Sequence, residues 1–199
     1  MGSYVLYITN FRSWLNFQTM AIATTVNFPA FKARVVRSAS RLIRSGAIPI
    51  QVNKGKALSI GFAIDIQMMS KSVIGSMKFG RPEGLRVLIL DGNKVVAILD
   101  YLYRSKKLKF SHALVGDQVA EFVDALNSIE KKFRSQAIPC QVTYLHFLLS
   151  PHDYLQVKSK KELSYFKWSD GKLSKTSQES IQTELKMIIK TRQPVSNNP

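Results

Sequence analysis

The segment LRVLILDGNKVVAIL, residues 85–99, carries the clearest fold signal in the chain. Two runs rich in β-branched residues flank Asp91-Gly92, and an Asp-Gly pair in that setting is a preferred tight turn of a β-hairpin. The segment ELSYFKWSDGKLSK, residues 162–175, shows a similar pattern around Asp170-Gly171. The sequence therefore predicts two hairpins and, with them, a mainly antiparallel sheet.

Apolar residues spaced by three and four predict amphipathic helices around these hairpins. The predicted helices cover residues 28–46, 117–135 and 177–191. Residues 47–69 are expected to form two strands around NKGK, while residues 100–110 either continue a strand or form a loop. Strict alternation of strands with helices is not visible. We therefore expect an α+β fold with a mainly antiparallel sheet and two to three amphipathic helices.

A short internal repeat marks two helix-to-strand junctions. RSGAIPIQV at residues 44–52 returns as RSQAIPCQV at residues 134–142, with seven of nine letters identical. The arginine favours the end of a helix by its charge, the proline turns the chain, and Gln-Val opens a strand. Beyond this window the copies diverge. We interpret the repeat either as a pseudo-duplicated helix–strand unit or as local convergence.

The charge of the chain restricts its partners. Among 199 residues, 29 Lys and Arg stand against 13 Asp and Glu, which gives a net charge of +16. A chain this basic attracts polyanions by counterion release, so nucleic acid and anionic membrane surfaces are the expected partners. Cys140 is the single cysteine, which rules out an internal disulfide and favours a reducing compartment.

The termini carry no recognisable targeting segment. No apolar run is long enough to span a membrane, and the N-terminus lacks the basic region of a signal peptide, so we expect an intracellular location, cytoplasmic or nuclear. We expect residues 1–20 to form a peripheral N-terminal segment, residues 21–191 a single α+β domain, and residues 192–199 a flexible tail. Met20 is an alternative start to Met1.

The first predicted helix carries a stripe of arginines. These residues are spaced by three, four and three, and no acidic residue occurs in residues 28–46. At about 100° per residue they lie on one face, opposite the apolar face, where guanidinium groups suit phosphate oxygens. The alternative is a solvated face, or arginines paired with acids of another element. The stripe consists of Arg34, Arg37, Arg41 and Arg44.

Two further segments mix aromatic and basic residues. In YLYRSKKLKF, residues 101–110, tyrosines stand among basic residues that would extend a phosphate-binding track. The alternative, which we favour for the tyrosines, places the aromatic rings in the core and the lysines outside. In VKSKKELSYFKW, residues 157–168, Trp168 is an exposed stacking platform, a membrane-interface anchor or a lid on the core. The candidate binding residues of the first segment are Arg104, Lys106, Lys107 and Lys109.

Catalytic signatures are sparse. His146, His152 and Asp153 are the candidates for an active site, because catalytic sets are assembled in space. No nucleophile elbow and no phosphate-binding loop is present, so we expect neither enzymatic activity nor a cofactor. Cys140, His146 and His152 are spaced by six and six, which fits no familiar zinc pattern, and no metal site is expected. Asp65 lies in an apolar strand, where a buried carboxylate would need a partner or a raised pKa; we favour the alternative that it faces solvent or pairs with a surface lysine.

Two non-enzymatic functions fit these observations, and a third, less favoured hypothesis is an enzyme that acts on a polyanion with His146, His152 or Asp153 in its site. The first is a non-enzymatic protein that binds nucleic acid, RNA or a single strand in preference, through the arginine-striped helix. The second is a matrix-like assembly protein, of the kind found in virions, that binds anionic membrane and associates with itself into homo-oligomers. The position of the arginines on a structured helix favours the first.

Overall fold

The computed structural model describes most of the chain outside its termini. The expectations for residues 1–20, for residues 192–199 and for the NKGK turn lie outside the described part, and the strand expected before that turn is not present in residues 47–50. The described residues are 22–23, 25, 28–50, 58–92, 94–105, 107–134, 139–169 and 171–191.

The described residues contain four helices and nine strands. The helices are α1 (Phe28–Arg44), α2 (Lys71–Ser76), α3 (Asp117–Arg134) and α4 (Gln178–Thr191). The strands are β1 (Ile22–Ala23), β2 (Leu58–Met68), β3 (Gly84–Asp91), β4 (Lys94–Arg104), β5 (Lys107–Leu114), β6 (Cys140–His146), β7 (Asp153–Ser159), β8 (Leu163–Ser169) and β9 (Lys172–Thr176).

The three predicted helices and both predicted hairpins are confirmed. The helix of residues 28–46 ends at Arg44, two residues before Gly46, whose φ of 71° suits a glycine after a helix. Asp91 and Gly92 stand at the turn between β3 and β4. The Oγ atom of Ser177 accepts a hydrogen bond from the Ser180 amide at 3.1 Å and caps α4. Residues 100–110, left open between strand and loop, belong to β4 and β5.

The strands form one sheet in the order β5-β4-β3-β2-β6-β7-β8-β9, and β1 pairs with β6. All neighbours along this path are antiparallel except the central pair, β2 and β6, which is parallel. The expected α+β class with a mainly antiparallel sheet is therefore confirmed. The sheet has two halves of four strands each. Strands β2 to β5 follow α1 and form one half, and strands β6 to β9 follow α3 and form the other. A common origin of the two halves remains a prediction.

Helices cover both faces of the sheet. Val35 and Ala39 of α1 pack on one face, with apolar residues of β2 to β5, and Leu185 of α4 packs on the same face over β6 to β8. We call this the α1 face. Phe122 and Ile129 of α3 pack on the opposite face, the α3 face, in a core that reaches from β4 to β8. Side chains alternate between these faces along each strand, which fixes the surface to which each site residue belongs.

Asp65 corrects a prediction. It does not face solvent, because the residue is only 3% exposed and lies on the α1 face of β2. Its Oδ1 accepts a hydrogen bond from the Thr25 hydroxyl at 2.6 Å, and its Oδ2 accepts one from Gln141 Nε2 at 3.0 Å. Burial raises the pKa of Asp65, against the effect of these two hydrogen bonds. Gln141 is the glutamine of the second repeat copy, so this junction holds a buried carboxylate of the central strand.

Candidate functional site

The arginine stripe lies on the outer side of α1. All four arginines are exposed, while Phe28, Val35 and Ala39 hold the inner side of the helix against the sheet. None of the four forms an ion pair with a carboxylate of the described residues. One intrahelical hydrogen bond joins Arg44 Nε to the Ser40 carbonyl oxygen at 3.2 Å. The stripe is thus a fixed row of positive charge that is open to a ligand.

The basic residues of the β4–β5 hairpin lie on the other side of the sheet. Lys107 pairs with Arg104 and Lys109 pairs with Leu102, which belongs to the core of the α3 face. Leu108, between the lysines, packs on the α1 face. Arg104, Lys107 and Lys109 are exposed, and Lys106 lies outside the described residues. The structure therefore does not join this group to the stripe of α1 in one continuous track.

The two tyrosines beside these bases pack in or against the core, as favoured from the sequence, whereas Phe110 is 37% exposed. Tyr101 is 2% exposed, and Tyr103 packs edge-on against Phe31 of α1 with 5.4 Å between ring centroids. Trp168 is 8% exposed and contacts Phe122 of α3, so it is not an exposed platform.

A cavity of about 650 Å³ opens on the α3 face. It crosses the sheet from β5 to β8 where β2 and β6 end, and Gln118 and Glu121 of α3 stand beside it. Its size falls within the usual range of small-molecule sites, about 300–1,000 Å³. The wall combines apolar side chains with ionisable side chains from five strands. These groups are Arg86, Asp100, Arg104, His112, His146 and Asp153.

A buried ion pair underlies the cavity. Arg86, 2% exposed, donates from Nε and Nη2 to the two carboxylate oxygens of Asp100, both at 2.8 Å. Its guanidinium carbon lies 3.5 Å from the centroid of the Tyr144 ring and 4.7 Å from that of Phe122. The Asp100 carboxylate raises the pKa of Arg86 above its ordinary value despite burial. Arg86 therefore stays protonated, and the Asp100 carboxylate lies against its charge.

Tyr144 connects this pair to a second carboxylate. The Tyr144 hydroxyl donates to Asp153 Oδ1 and lies 3.2 Å from His146 Nδ1. The Tyr144 hydroxyl has one proton, which it donates to Asp153. His146 Nδ1 therefore carries a proton and donates it to the Tyr144 oxygen, so Nε2 of the neutral ring is an acceptor. Burial lowers the pKa of His146, which keeps the imidazole neutral at pH 7. Burial raises the pKa of Tyr144, so the phenol keeps its proton.

The residues considered for catalysis or metal binding separate into different places. His146 and Asp153 meet in the cavity, whereas His152 lies 3.6 Å from Glu184 of α4, on the α1 face. Burial and the Glu130 carboxylate raise the pKa of the Cys140 thiol to about 12, which leaves it unreactive. No cluster of three or more potential metal ligands occurs among the described residues.

The sequence interpretation missed Arg86, Asp100 and Tyr144. A signal for the first two was present, because each is a charged residue between apolar neighbours and they lie on either side of the Asp91-Gly92 turn. Hairpin pairing places such residues opposite each other, and β3 and β4 do pair Arg86 with Asp100. Tyr144 had no comparable signal, because its contacts come from strands distant in sequence.

Comparison of the chain with protein-family models, curated proteins and solved structures found no match. Its function is therefore inferred from the site residues. Within the described part of the chain, no helix combines the length and the apolar character needed to cross a membrane.

Proposed function

We propose that the protein binds nucleic acid, RNA or a single strand in preference, through the outer face of α1. The observation that carries the proposal is the row of four exposed guanidinium groups without a carboxylate partner among the described residues. Guanidinium groups hold phosphate oxygens in two-pronged hydrogen bonds. The row consists of Arg34, Arg37, Arg41 and Arg44.

The packing of α1 supports this assignment. Phe28, Val35 and Ala39 fasten the helix to the sheet, so the arginines project from a rigid element. Because the backbone positions of the row are fixed before binding, only the arginine side chains become ordered when successive phosphates of a strand meet them. The net charge of +16 adds long-range attraction.

The test is the salt dependence of binding. Labelled single-stranded RNA is titrated with purified protein over a range of salt concentrations, and log K is plotted against log salt. Each phosphate contact on a single strand contributes about −0.7 to the slope, so alanine at all four arginines should flatten it by up to about 3. Alanine favours helix, so the variant should keep its fold, which circular dichroism checks.

A matched variant separates the stripe from net charge. Lys158, Lys160, Lys161 and Lys175 are exposed and lie on other elements, and their replacement by alanine removes the same charge. If the four-lysine variant and the four-arginine variant flatten the plot of log K against log salt equally, binding follows net charge alone. Anionic and neutral vesicles form a parallel arm, and binding to anionic vesicles without binding to RNA would favour the matrix-like alternative.

A further inference from the structure

The cavity on the α3 face has hydrogen-bond acceptors on one wall. His146 and Asp153 lie side by side, on neighbouring strands β6 and β7. Asp153 accepts from Tyr144 through Oδ1, and its Oδ2 has no hydrogen-bond partner among the described residues. His146 presents Nε2 as an acceptor, because Nδ1 carries the proton in its contact with the Tyr144 hydroxyl. Two adjacent acceptors require a ligand edge with two adjacent donors.

The opposite end of the cavity is basic. Arg104 lines it, and the side chains of Lys107 and Lys109 face the same side of the sheet on the neighbouring strand β5. Strand β4 lies four strand spacings from β7, roughly 19 Å at about 4.8 Å per spacing. The cavity therefore suits an elongated ligand with donors at one end and an anion at the other.

The remaining wall suits a flat ring and a sugar. Trp168 and Leu148 border the acceptor end and give it apolar surface for a flat ring. Glu121 stands at the rim, where a carboxylate can accept from ribose hydroxyls. The Asp100 carboxylate is already occupied by Arg86.

We propose that this cavity binds a guanine nucleotide, with the N1–H and N2–H edge of the base on Asp153 and His146 and the phosphates at Arg104, Lys107 and Lys109. Guanine presents these two donors next to the O6 acceptor, whereas adenine, cytosine and uracil do not present adjacent donors on that edge. The nucleotide is either free or part of a single strand. This site is separate from the arginine row of α1 and does not depend on it.

The first test uses the unaltered full chain. Calorimetric titrations compare GTP, ATP, CTP, UTP and inosine triphosphate at low salt. We expect GTP to bind at least tenfold more tightly than the other three common nucleotides, and inosine triphosphate to bind about tenfold more weakly than GTP because it lacks the N2 amino group. Equal affinities for all five, or no binding of GTP at millimolar concentration, would overturn the proposal.

Substitutions then test which end of the cavity binds the base and which end binds the phosphates. Asp153→Asn should abolish the preference for GTP over ATP, whereas Asp124→Asn, on an exposed carboxylate of α3, should leave it unchanged. Alanine at Arg104, Lys107 and Lys109 should weaken all triphosphates by a similar factor and reduce their salt dependence. A preference for GTP that survives Asp153→Asn contradicts the assigned orientation, and the inosine comparison stands even if that variant unfolds.

A final experiment distinguishes a free nucleotide from a nucleotide within a strand, and the cavity from the arginine row of α1. An oligouridine with a single central guanosine is compared with plain oligouridine as a competitor for labelled GTP. Preferential displacement by the guanosine strand identifies a strand nucleotide as the ligand, and displacement only by free nucleotides identifies a free one. The variant with alanine at Arg34, Arg37, Arg41 and Arg44 should keep its affinity for GTP. A parallel loss of GTP binding in that variant would contradict a separate site.

Discussion

The guanidinium carbon of Arg86 lies 3.5 Å from the centroid of the Tyr144 ring. Arg86 stands on β3 and Tyr144 on β6, and the parallel pairing of β2 with β6 brings the two halves of the sheet close enough for this contact. The stacked guanidinium also binds Asp100, while the Tyr144 hydroxyl binds Asp153. One chain of contacts therefore joins the two halves of the sheet beneath the cavity.

Breaking the buried ion pair should destabilise the protein strongly. Arg86→Met leaves the Asp100 carboxylate buried without its cation, and we expect a loss of about 3–5 kcal/mol in the free energy of unfolding. Urea unfolding at pH 7, followed by circular dichroism, measures it. The double variant Arg86→Met/Asp100→Leu removes both charges and should recover most of the loss. If the loss in the double variant equals the sum of the losses in Arg86→Met and Asp100→Leu, this account is contradicted.

The buried carboxylate of Asp65 should cost stability at neutral pH. Burial raises its pKa above 3.8, so the folded state holds the proton more tightly than the unfolded state does. Its stabilising contribution is therefore full below pH 3.8 and is lost as the pH rises through the folded pKa. Asp65→Asn remains neutral and keeps both hydrogen bonds if the Gln141 amide turns over. We expect this variant to be more stable than the parent at pH 7 and to lose that advantage near pH 3.5.

A second variant at this position tests the hydrogen bonds themselves. Asp65→Ala leaves the Thr25 hydroxyl and the Gln141 amide without their acceptor, and the expected loss is about 1–3 kcal/mol in urea unfolding. If Asp65→Asn is less stable than the parent by the same amount at pH 7 and near pH 3.5, the charge of Asp65 is not the destabilising feature.

The start of β3 requires a glycine. A Cβ atom on Gly84 would clash with the Tyr101 carbonyl oxygen and lie 2.7 Å from Leu102 Cδ2. Because the backbone of β4 cannot move away without breaking its pairing, Gly84→Ala should destabilise the protein by about 1–3 kcal/mol. Gly75→Ala in α2 is the matched control, since nothing lies within 4 Å of its added Cβ. Thermal unfolding compares them, and equal midpoints would refute the steric account.

Cys140 should be protected from thiol reagents. The residue is 2% exposed on β6, and its pKa of about 12 leaves almost no thiolate at pH 8. We expect a disulfide reagent to label the native protein at least a hundredfold more slowly than the protein in urea. Since Cys140 is the only cysteine, Cys140→Ala gives the blank. Rapid labelling of the native protein would show that β6 opens easily at its first residue.

The local pattern of the sequence determined the elements and the outer face of one helix. The turns at Asp91-Gly92 and Asp170-Gly171 depend on neighbouring residues, which is why both hairpins were predictable. The exposure of the α1 arginines follows equally from helical periodicity, since an apolar face that packs inward leaves the opposite face in solvent.

Only the tertiary structure decided the order of the strands and the composition of the cavity. The parallel pairing of β2 with β6 joins segments far apart in sequence, and it depends on how the whole chain buries its apolar surface. That pairing buries Asp65 beside Gln141 and places Tyr144 against Arg86. The packing of α1 on β2 to β5 separately places Arg104 on the face opposite this helix. Periodicity assigns a residue to one face of its own element, but long-range packing decides what that face meets.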